Sequence, residues 1–350
     1  MKAAVWHGVR DIRIERHEPL PLGPADVRID VALCGICGSD LHEYASGPHG
    51  IPVGEPHPLS GRSAPLIIGH EFCGTVTEVG PAASGLQPGQ RVTIEPAYRC
   101  GRCAGCRRGD YNLCDSMGFA GLMGDGGMAT ETVVPGYMAH PLPDSVSFAQ
   151  AAMLEPAAVA LHALRRAGLK AGESCVVIGA GPIGLLIVQL AKLAGAEKII
   201  VSDTSDARLA LAGKVGADIV VNPARQDLAA AATQATGGVG IDLSFEAVGL
   251  QPALDDAFRV LRKGGRLVLV GLFVDNPTID AFEMVNREID IVSSVGYRDV
   301  FPELIAMVAD GRFNPSAIVT RTIALDDVVA EGFERLLSNP ADVKILVRPG

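Results

Sequence analysis

The stretch Cys175-Val-Val-Ile-Gly-Ala-Gly-Pro-Ile-Gly-Leu-Leu-Ile-Val-Gln-Leu-Ala191 decides the fold. Cys175–Ile178 reads as an apolar strand, and a helix is expected over Ile183–Ala194. Between them, Gly179-Ala180-Gly181-Pro182-Ile183-Gly184 fits the pattern GxGxxG. A bare match carries little weight, but the strand before it and the helix after it supply a mechanism. The first glycine allows a tight turn, and the second lets a pyrophosphate approach the backbone. The third lets helix pack closely on strand, with phosphate charge facing the helix N-terminus. The next strand, Lys198–Val201, leads through Ser202 to Asp203. A carboxylate there accepts hydrogen bonds from adenosine ribose hydroxyls and repels a 2′-phosphate, favouring NAD over NADP. Arg208, five residues on, works the other way, since an arginine can serve such a phosphate. The candidate cofactor contacts are therefore Gly179, Gly181, Pro182, Ile183, Gly184, Asp203 and Arg208. The competing reading is a glycine-rich turn in another kind of α/β domain.

Working outward, strands expected at Ile219–Val221, Ile241–Phe245, Arg266–Val270 and Ile289–Val295 alternate with helices. Those helices are Asp206–Val215, Gln226–Ala235 and Gln251–Leu261. Such alternation indicates a parallel sheet covered on both faces, an α/β doubly wound Rossmann domain over 153–295. Upstream, the texture is short β-branched runs (Asp26–Leu33, Cys73–Val79, Arg91–Ile94) separated by glycine and proline. Ala149–Ala167 is expected to be helical with a break at Pro156. After Val295 the alternation stops, leaving helices at Phe301–Ala309 and Asp326–Leu337 and a strand at Val343–Val347. We assign 1–152 to a first domain, with a lobe at about 97–116, and 296–350 to a return into it. A length of 350 residues agrees with two domains.

Composition excludes several classes. With 48% apolar and 20% charged residues the chain holds enough apolar side chains for two cores and is not intrinsically disordered. A formal charge of −10 has the wrong sign for a nucleic-acid binder. The most apolar run, Cys175–Ala194, is interrupted by Gly179, Gly181, Pro182, Gly184, Gln189 and Lys192, so no membrane span is expected. The N-terminus carries charges where a signal peptide has its apolar region, and cytoplasm is the expected compartment.

Eight cysteines are too few for a disulfide scaffold. Four of them form Cys100-x2-Cys103-x2-Cys106-x7-Cys114. Four thiolates at short spacing close a tetrahedral shell around zinc with no open position, a structural site. Redox sensing and disulfides are the alternatives. Cys34, Cys73 and Cys175 lie in apolar runs and read as buried thiols.

Cys37, His70 and Glu155 lie far apart, and each alone reads as packing, core or cap. The segments around them connect them. CGICGSDLH (34–42), GHEFCGTVTEVG (69–80), the four-cysteine lobe, LEPAAVALHA (154–163), GAGPIG (179–184), VSD (201–203) and FEAVG (245–249) resemble the zinc-dependent medium-chain alcohol and polyol dehydrogenases. The similarity covers essentially the whole chain. It implies a GroES-like β-barrel catalytic domain joined to the Rossmann domain, and two zinc ions per chain. Cys37, His70 and Glu155 match the catalytic-zinc positions, with Glu71 as an exchangeable ligand. Ethanol-type members have cysteine in place of Glu155; a glutamate there resembles the sorbitol and butanediol branch, where it reaches the ion directly or through a water. The segment 42–65 resembles the loop of (R,R)-2,3-butanediol dehydrogenases.

What this resemblance implies is a cytoplasmic oxidoreductase transferring hydride between NAD and a secondary alcohol or vicinal diol, foremost (R,R)-2,3-butanediol and acetoin. Sorbitol, another polyol or L-threonine is the alternative substrate, and a non-catalytic NAD-binding protein on the same scaffold is the alternative class. Ser39 and His42 match the family's proton-relay positions, and histidine suits a step near operating pH. Asp40 is expected to orient ligands or backbone, and His162 to be structural. His49 and His57 lie in a loop expected to shape the pocket for a diol's second oxygen. A homodimer or homotetramer is implied, with the sheet edge around Ile291–Val295 as its seam.

Overall fold

The computed structural model describes residues Met1–Gly350. The chain divides into two units, Pro156–Val300 and a discontinuous one made of Met1–Glu155 and Phe301–Gly350.

In the first of these units, Ser174–Ile178 is buried at every position. It lies inside a six-stranded sheet ordered Ile219–Val221, Lys198–Ser202, Ser174–Ile178, Ile241–Glu246, Leu261–Leu269, Asp290–Ser293. Every neighbouring pair is parallel. The chain winds outward from Ser174–Ile178 in one direction and then restarts at Ile241–Glu246 in the other. A topological switch point lies between those two strands, where open α/β sheets bind ligands. Val176, Ile178, Ile200, Ile241, Leu254 and Leu267 form the core under the helices, which explains why the strands read as continuous apolar runs. Ser205 caps the helix Asp206–Val215, Asp227 caps Leu228–Ala235, and Pro182 occupies the first turn of Pro182–Leu193.

The discontinuous unit is antiparallel for the most part. Its main sheet runs Ala139–Pro141, Arg91–Ile94, Glu71–Val79, Asp26–Gly35, Lys344–Arg348, Val319–Ala324, and Glu131–Pro135 also pairs with Asp26–Gly35. Along Asp26–Gly35, Val27, Ile29 and Val31 are buried while their neighbours are not, the period of a strand with one face on a core. The C-terminal strand joins here, with Leu346 opposite Gly35 and Val347 opposite Cys34. A small second sheet combines Lys2–Gly8, Asp11–Arg16 and Leu66–Ile67.

Several elements differ from the sequence reading. The expected break at Pro156 falls earlier, since a short helix Phe148–Ala151 precedes an uninterrupted helix Leu154–Ala167. Pro156 sits in the first turn of that helix, where its missing N–H costs no hydrogen bond. The expected helix Asp326–Leu337 is a 3₁₀ turn (Leu325–Asp327), a π-helical turn (Val328–Phe333) and a short α-helix (Glu334–Ser338). Gly332 in the π turn packs so close to Ile36 that a Cβ would lie 2.7 Å from Ile36 Cδ1. A helix at Ala281–Asn286 had no counterpart in the sequence reading. No helix is long and apolar enough to cross a membrane.

Candidate active site

The strand Asp26–Gly35 delivers Cys37 to the start of the helix Gly38–Ser46. Asp40, three residues on, accepts a hydrogen bond from the Cys37 amide at 2.9 Å, fixing the thiol at the helix cap. His70 arrives from the opposite side, just before the strand Glu71–Val79. The turn preceding it needs glycine: Gly69 has φ +93, and a Cβ there would lie 2.7 Å from Cys34 Sγ. One ligand atom each from Cys37, His70 and Glu71 lies within 4.8 Å of the others.

The imidazole of His70 is bracketed. Ser39 Oγ lies 3.3 Å from Nε2, and Asp40 Oδ1 lies 3.3 Å from Nδ1. Burial opposes a charge on His70, yet the Asp40 carboxyl and the Cys37 thiol raise its pKa well above the ordinary imidazole value. The same field favours any cation placed among these groups. A thiol, an imidazole and a carboxylate suit zinc, and Asp40 supplies the outer carboxylate that orients a ligating histidine.

Glu71 is fully buried, and so is its partner. Lys344 Nζ lies 2.7 Å from both carboxylate oxygens and donates to the Ile36 carbonyl at 2.9 Å. Burial works against the ammonium, but Glu71, Cys37 and Glu155 together raise its pKa. Glu155 is 5% exposed at the start of Leu154–Ala167. It falls outside the close trio and acts on Lys344 through space. The sequence reading missed Lys344. Its one signal was a lone lysine inside the apolar run Val343-Lys-Ile-Leu-Val347.

His42 is on the exposed face of the helix that carries Ser39. His49 is also exposed, and the His57 ring packs 5.8 Å from that of Tyr98. His162 is buried, and its pKa is lowered by that burial and by Arg166 and Arg165.

The four-cysteine lobe is bracketed by the pairing of Ala97–Tyr98 with Gly118–Phe119. Ligand atoms of Cys100, Cys103, Cys106 and Cys114 all lie within 4.8 Å of one another. Amides of Cys100, Cys103, Cys106 and Ser116 donate to the sulfurs of Cys114, Cys100, Cys103 and Cys114 at 3.3–3.4 Å. Amide donors pull the pKa values of Cys100 and Cys103 down, Cys103 to about 6, while desolvation and the neighbouring thiols push Cys106 up to about 12. Sulfurs held this way by backbone donors form a ready tetrathiolate shell. All eight cysteines are free thiols.

In the unit with the parallel sheet, Gly179 turns the chain at φ +98. Gly184 packs so tightly that a Cβ would collide with the Gly179 carbonyl, whereas one on Gly181 would meet nothing within 4 Å. The open side at Gly181, the helix cap, leaves room for a phosphate against the amides of Pro182–Leu193. Pro182 and Ile183 form the first turn of that helix. Asp203 Oδ2 accepts from the Ala180 amide at 2.8 Å and Oδ1 from the Ser205 amide at 2.8 Å. That carboxylate is thereby fixed at the edge of the glycine loop. Arg208 lies on the first turn of Asp206–Val215, with its amide bonded to Ser205 Oγ. Within the FEAVG segment, Glu246 is fully buried and accepts from the amides of Val248 and Gly249 at 2.9 and 2.8 Å.

Known proteins resemble this chain along its whole length. The zinc-binding dehydrogenase model matches residues 182–310, and the alcohol dehydrogenase GroES-like domain model matches residues 23–144. The chain is 42% identical to an (R,R)-butanediol dehydrogenase of Bacillus subtilis (strain 168), over 100% of each chain. A crystal structure of a 2R,3R-butanediol dehydrogenase from Bacillus subtilis superposes with a TM-score of 0.93 at 41% identity, covering 100% of this chain and 99% of that one. A putative zinc-binding dehydrogenase from Sinorhizobium meliloti 1021, bound to NADP, superposes at 0.89 with 33% identity, over 99% of both chains. With a GroES-like domain, a doubly wound dinucleotide-binding domain and these relatives matched end to end, the chain belongs to the zinc-binding dehydrogenases of the alcohol dehydrogenase family.

Proposed function

We propose that the chain is an NAD-linked, zinc-dependent dehydrogenase that interconverts a vicinal diol and its hydroxyketone, with (R,R)-2,3-butanediol and acetoin as the pair. The observation that carries this reading is the meeting of Cys37, His70 and Glu71 within 4.8 Å, with the Ser39 hydroxyl 3.3 Å from the His70 ring. A thiol, an imidazole and an acid there surround a hydroxyl able to take a proton.

Cys37 and His70 would hold the catalytic ion, with Glu155 as the further ligand. Glu71, gripped by Lys344, stands by as an exchangeable ligand. When bound, zinc supplies the Lewis acidity that makes an alcohol acidic, and NAD in the glycine loop supplies the hydride acceptor. The chain's own part is orientation and proton handling. Asp40 fixes the His70 ring and the Cys37 backbone. Ser39 Oγ would take the alcohol proton while its own proton passes along the relay to His42. His42, on the exposed side of the same helix, delivers a proton to solvent. The Asp203 carboxylate selects NAD by repelling a 2′-phosphate. Cys100, Cys103, Cys106 and Cys114 hold a second, structural zinc. Free thiols throughout suit the reducing cytoplasm.

A homodimer fits the sheet edge. Asp290–Ser293 is the outer strand, and Leu272, Val274, Phe282 and Val285 nearby in sequence are each 67–75% exposed. Exposed apolar groups beside an open strand edge mark an association surface.

The test is a steady-state panel of butanediol stereoisomers, sorbitol, L-threonine and 2-butanol, each with NAD and NADP, on protein whose zinc content has been measured. The expected result is two zinc ions per chain and the highest kcat/KM for (R,R)-2,3-butanediol with NAD. A preference for sorbitol or threonine refutes the substrate, and full turnover after complete zinc removal refutes the mechanism.

A further inference from the structure

The helix carrying Ser39 and His42 also carries a buried carboxylate that the chemistry above does not use. Glu43 is 3% exposed. Its charge is met by three successive amides. The His49 N–H donates to Oε2 at 3.0 Å and Oε1 at 3.2 Å, the Ile51 N–H to Oε1 at 3.2 Å, and the Gly50 N–H also to Oε1. Consecutive amides converging on one anion form a nest. The Glu43 carbonyl is fixed as well, accepting from Trp6 Nε1 at 3.1 Å and the Gly47 amide at 3.2 Å. Glu43 thus pins the segment 49–51 to the end of the helix.

That segment closes toward His70. A Cβ on Gly50 would lie 3.0 Å from Met123 Cε. The Met123 sulfur accepts the Phe119 amide at 3.4 Å, and the Phe119 ring lies 6.3 Å from the His70 ring. Further along the same loop, Ser60 Oγ donates to the Met123 carbonyl. The loop is therefore held against Met123 at Gly50 and Ser60, and its near end is set by Glu43. His49 is aimed by the same clamp, with Nε2 2.9 Å from Ser46 Oγ.

We propose that Glu43 is a positioning residue for substrate selectivity: by holding the amides of His49, Gly50 and Ile51 it sets the wall that receives the second oxygen of a diol. This rests on the diol reading given above. A glutamine at 43 keeps the volume but loses the charge, and with its oxygen in the place of Oε1 its amide nitrogen faces the His49 N–H that Oε2 now accepts, loosening the segment at that end. A contact that binds ground state and transition state alike shows in KM, whereas loss of folded protein lowers kcat for every substrate with KM unchanged.

Glu43→Gln and Gly50→Ala are compared with the parent as zinc-loaded full-length protein. Gly50→Ala keeps the carboxylate but sets a Cβ 3.0 Å from Met123 Cε and 3.4 Å from Glu43 Oε1, crowding the segment on both sides, so it decides the matter if Glu43→Gln does not fold. KM and kcat are measured for (R,R)-2,3-butanediol, 2-butanol and NAD, alongside thermal melting. The expected result is a rise in diol KM of about tenfold or more with kcat held within about threefold, while KM for 2-butanol and NAD moves by less than about twofold. Equal proportional losses for diol and 2-butanol, or an unchanged diol KM in the folded variants, overturn the proposal. If the parent prefers sorbitol, the butanediol assignment fails separately, and the same comparison is read on sorbitol against 2-butanol.

Discussion

Replacing Lys344 by methionine removes the cation from a buried pair and leaves its anion in place. Lys344 and Glu71 are 1% and 0% exposed, so water does not reach the stranded carboxylate. Breaking a buried pair on one side costs about 3–5 kcal/mol, because the surviving charge stays desolvated and unpaired. For a folding unit of this size about 1 kcal/mol moves the melting temperature by about 2–4 °C, so a fall of about 6–20 °C is expected. Glu71→Gln removes the anion instead and leaves the ammonium to the glutamine oxygen, the Ile36 carbonyl at 2.9 Å and the field of Cys37 and Glu155, so a smaller loss than that of Lys344→Met follows. Lys344→Met combined with Glu71→Gln removes both charges. Its loss is expected to fall short of the summed single losses by at least about 2 kcal/mol, the coupling energy of the pair. Urea and thermal unfolding of the three variants, at one fixed zinc concentration because bound metal stabilises by mass action, measure this cycle. A Lys344→Met loss under about 1 kcal/mol, or additive losses in the double variant, would refute the electrostatic account.

Other expectations separate the roles of neighbouring groups. Cys37→Ser abolishes turnover and leaves melting and NADH binding close to the parent, while Cys103→Ser lowers the melting temperature and releases one zinc per chain in elemental analysis. Identical behaviour of the two variants would mean that the sites do not differ in kind. Asp203→Gly with Thr204→Arg lowers KM for NADP and raises it for NAD, shifting the ratio of kcat/KM by about tenfold or more; an unchanged ratio counts against the ribose assignment. Asp242 joins strands Ser174–Ile178 and Ile241–Glu246 by accepting from Ser174 N and Oγ at 2.8 and 2.7 Å and from Arg262 Nε at 2.7 Å. Burial opposes its charge, but Ser174 and Arg262 outweigh that and hold its pKa below the usual carboxylate range. Its stabilisation is whole above the ordinary carboxylate pKa and is lost as pH falls through the lower folded value. Asp242→Asn is expected to cost about 1–3 kcal/mol at pH 7 and to flatten the acid limb of the stability profile, which urea titrations between pH 3 and 7 would check.

The two candidate metal centres show which physics a linear sequence carries. Cys100 to Cys114 close within a few turns, so spacing alone puts four sulfurs together and the lobe was legible at once. The glycine loop was legible for the same reason: strand, turn and helix are consecutive, and each glycine answers a steric demand made by its immediate neighbours. Cys37, His70 and Glu155 have no such local logic. Cys37 and His70 meet only because Asp26–Gly35 and Glu71–Val79 pair antiparallel, with Gly35 opposite Glu71, and family resemblance had to stand in for that register and for any link to Glu155. Lys344 is further still, 273 residues from its partner. Nothing in the run Val343–Val347 says that Leu346 will lie opposite Gly35. Yet that register carries the ammonium to the Ile36 carbonyl and into the metal-ligand neighbourhood. The break-up of 325–338 into three kinds of turn was hidden likewise. Its apolar spacing suits a helix, and the departure falls at Gly332, where a Cβ would lie 2.7 Å from Cδ1 of Ile36, one residue before Cys37. These two concealed features are from the C-terminal segment, and both bear on the short stretch that presents the thiol. The tail is thus part of what holds the site in register. Shortening the side chain at Lys344 should disturb the geometry around Cys37 more than substitutions at the exposed positions of the same strand, such as Arg348→Ala.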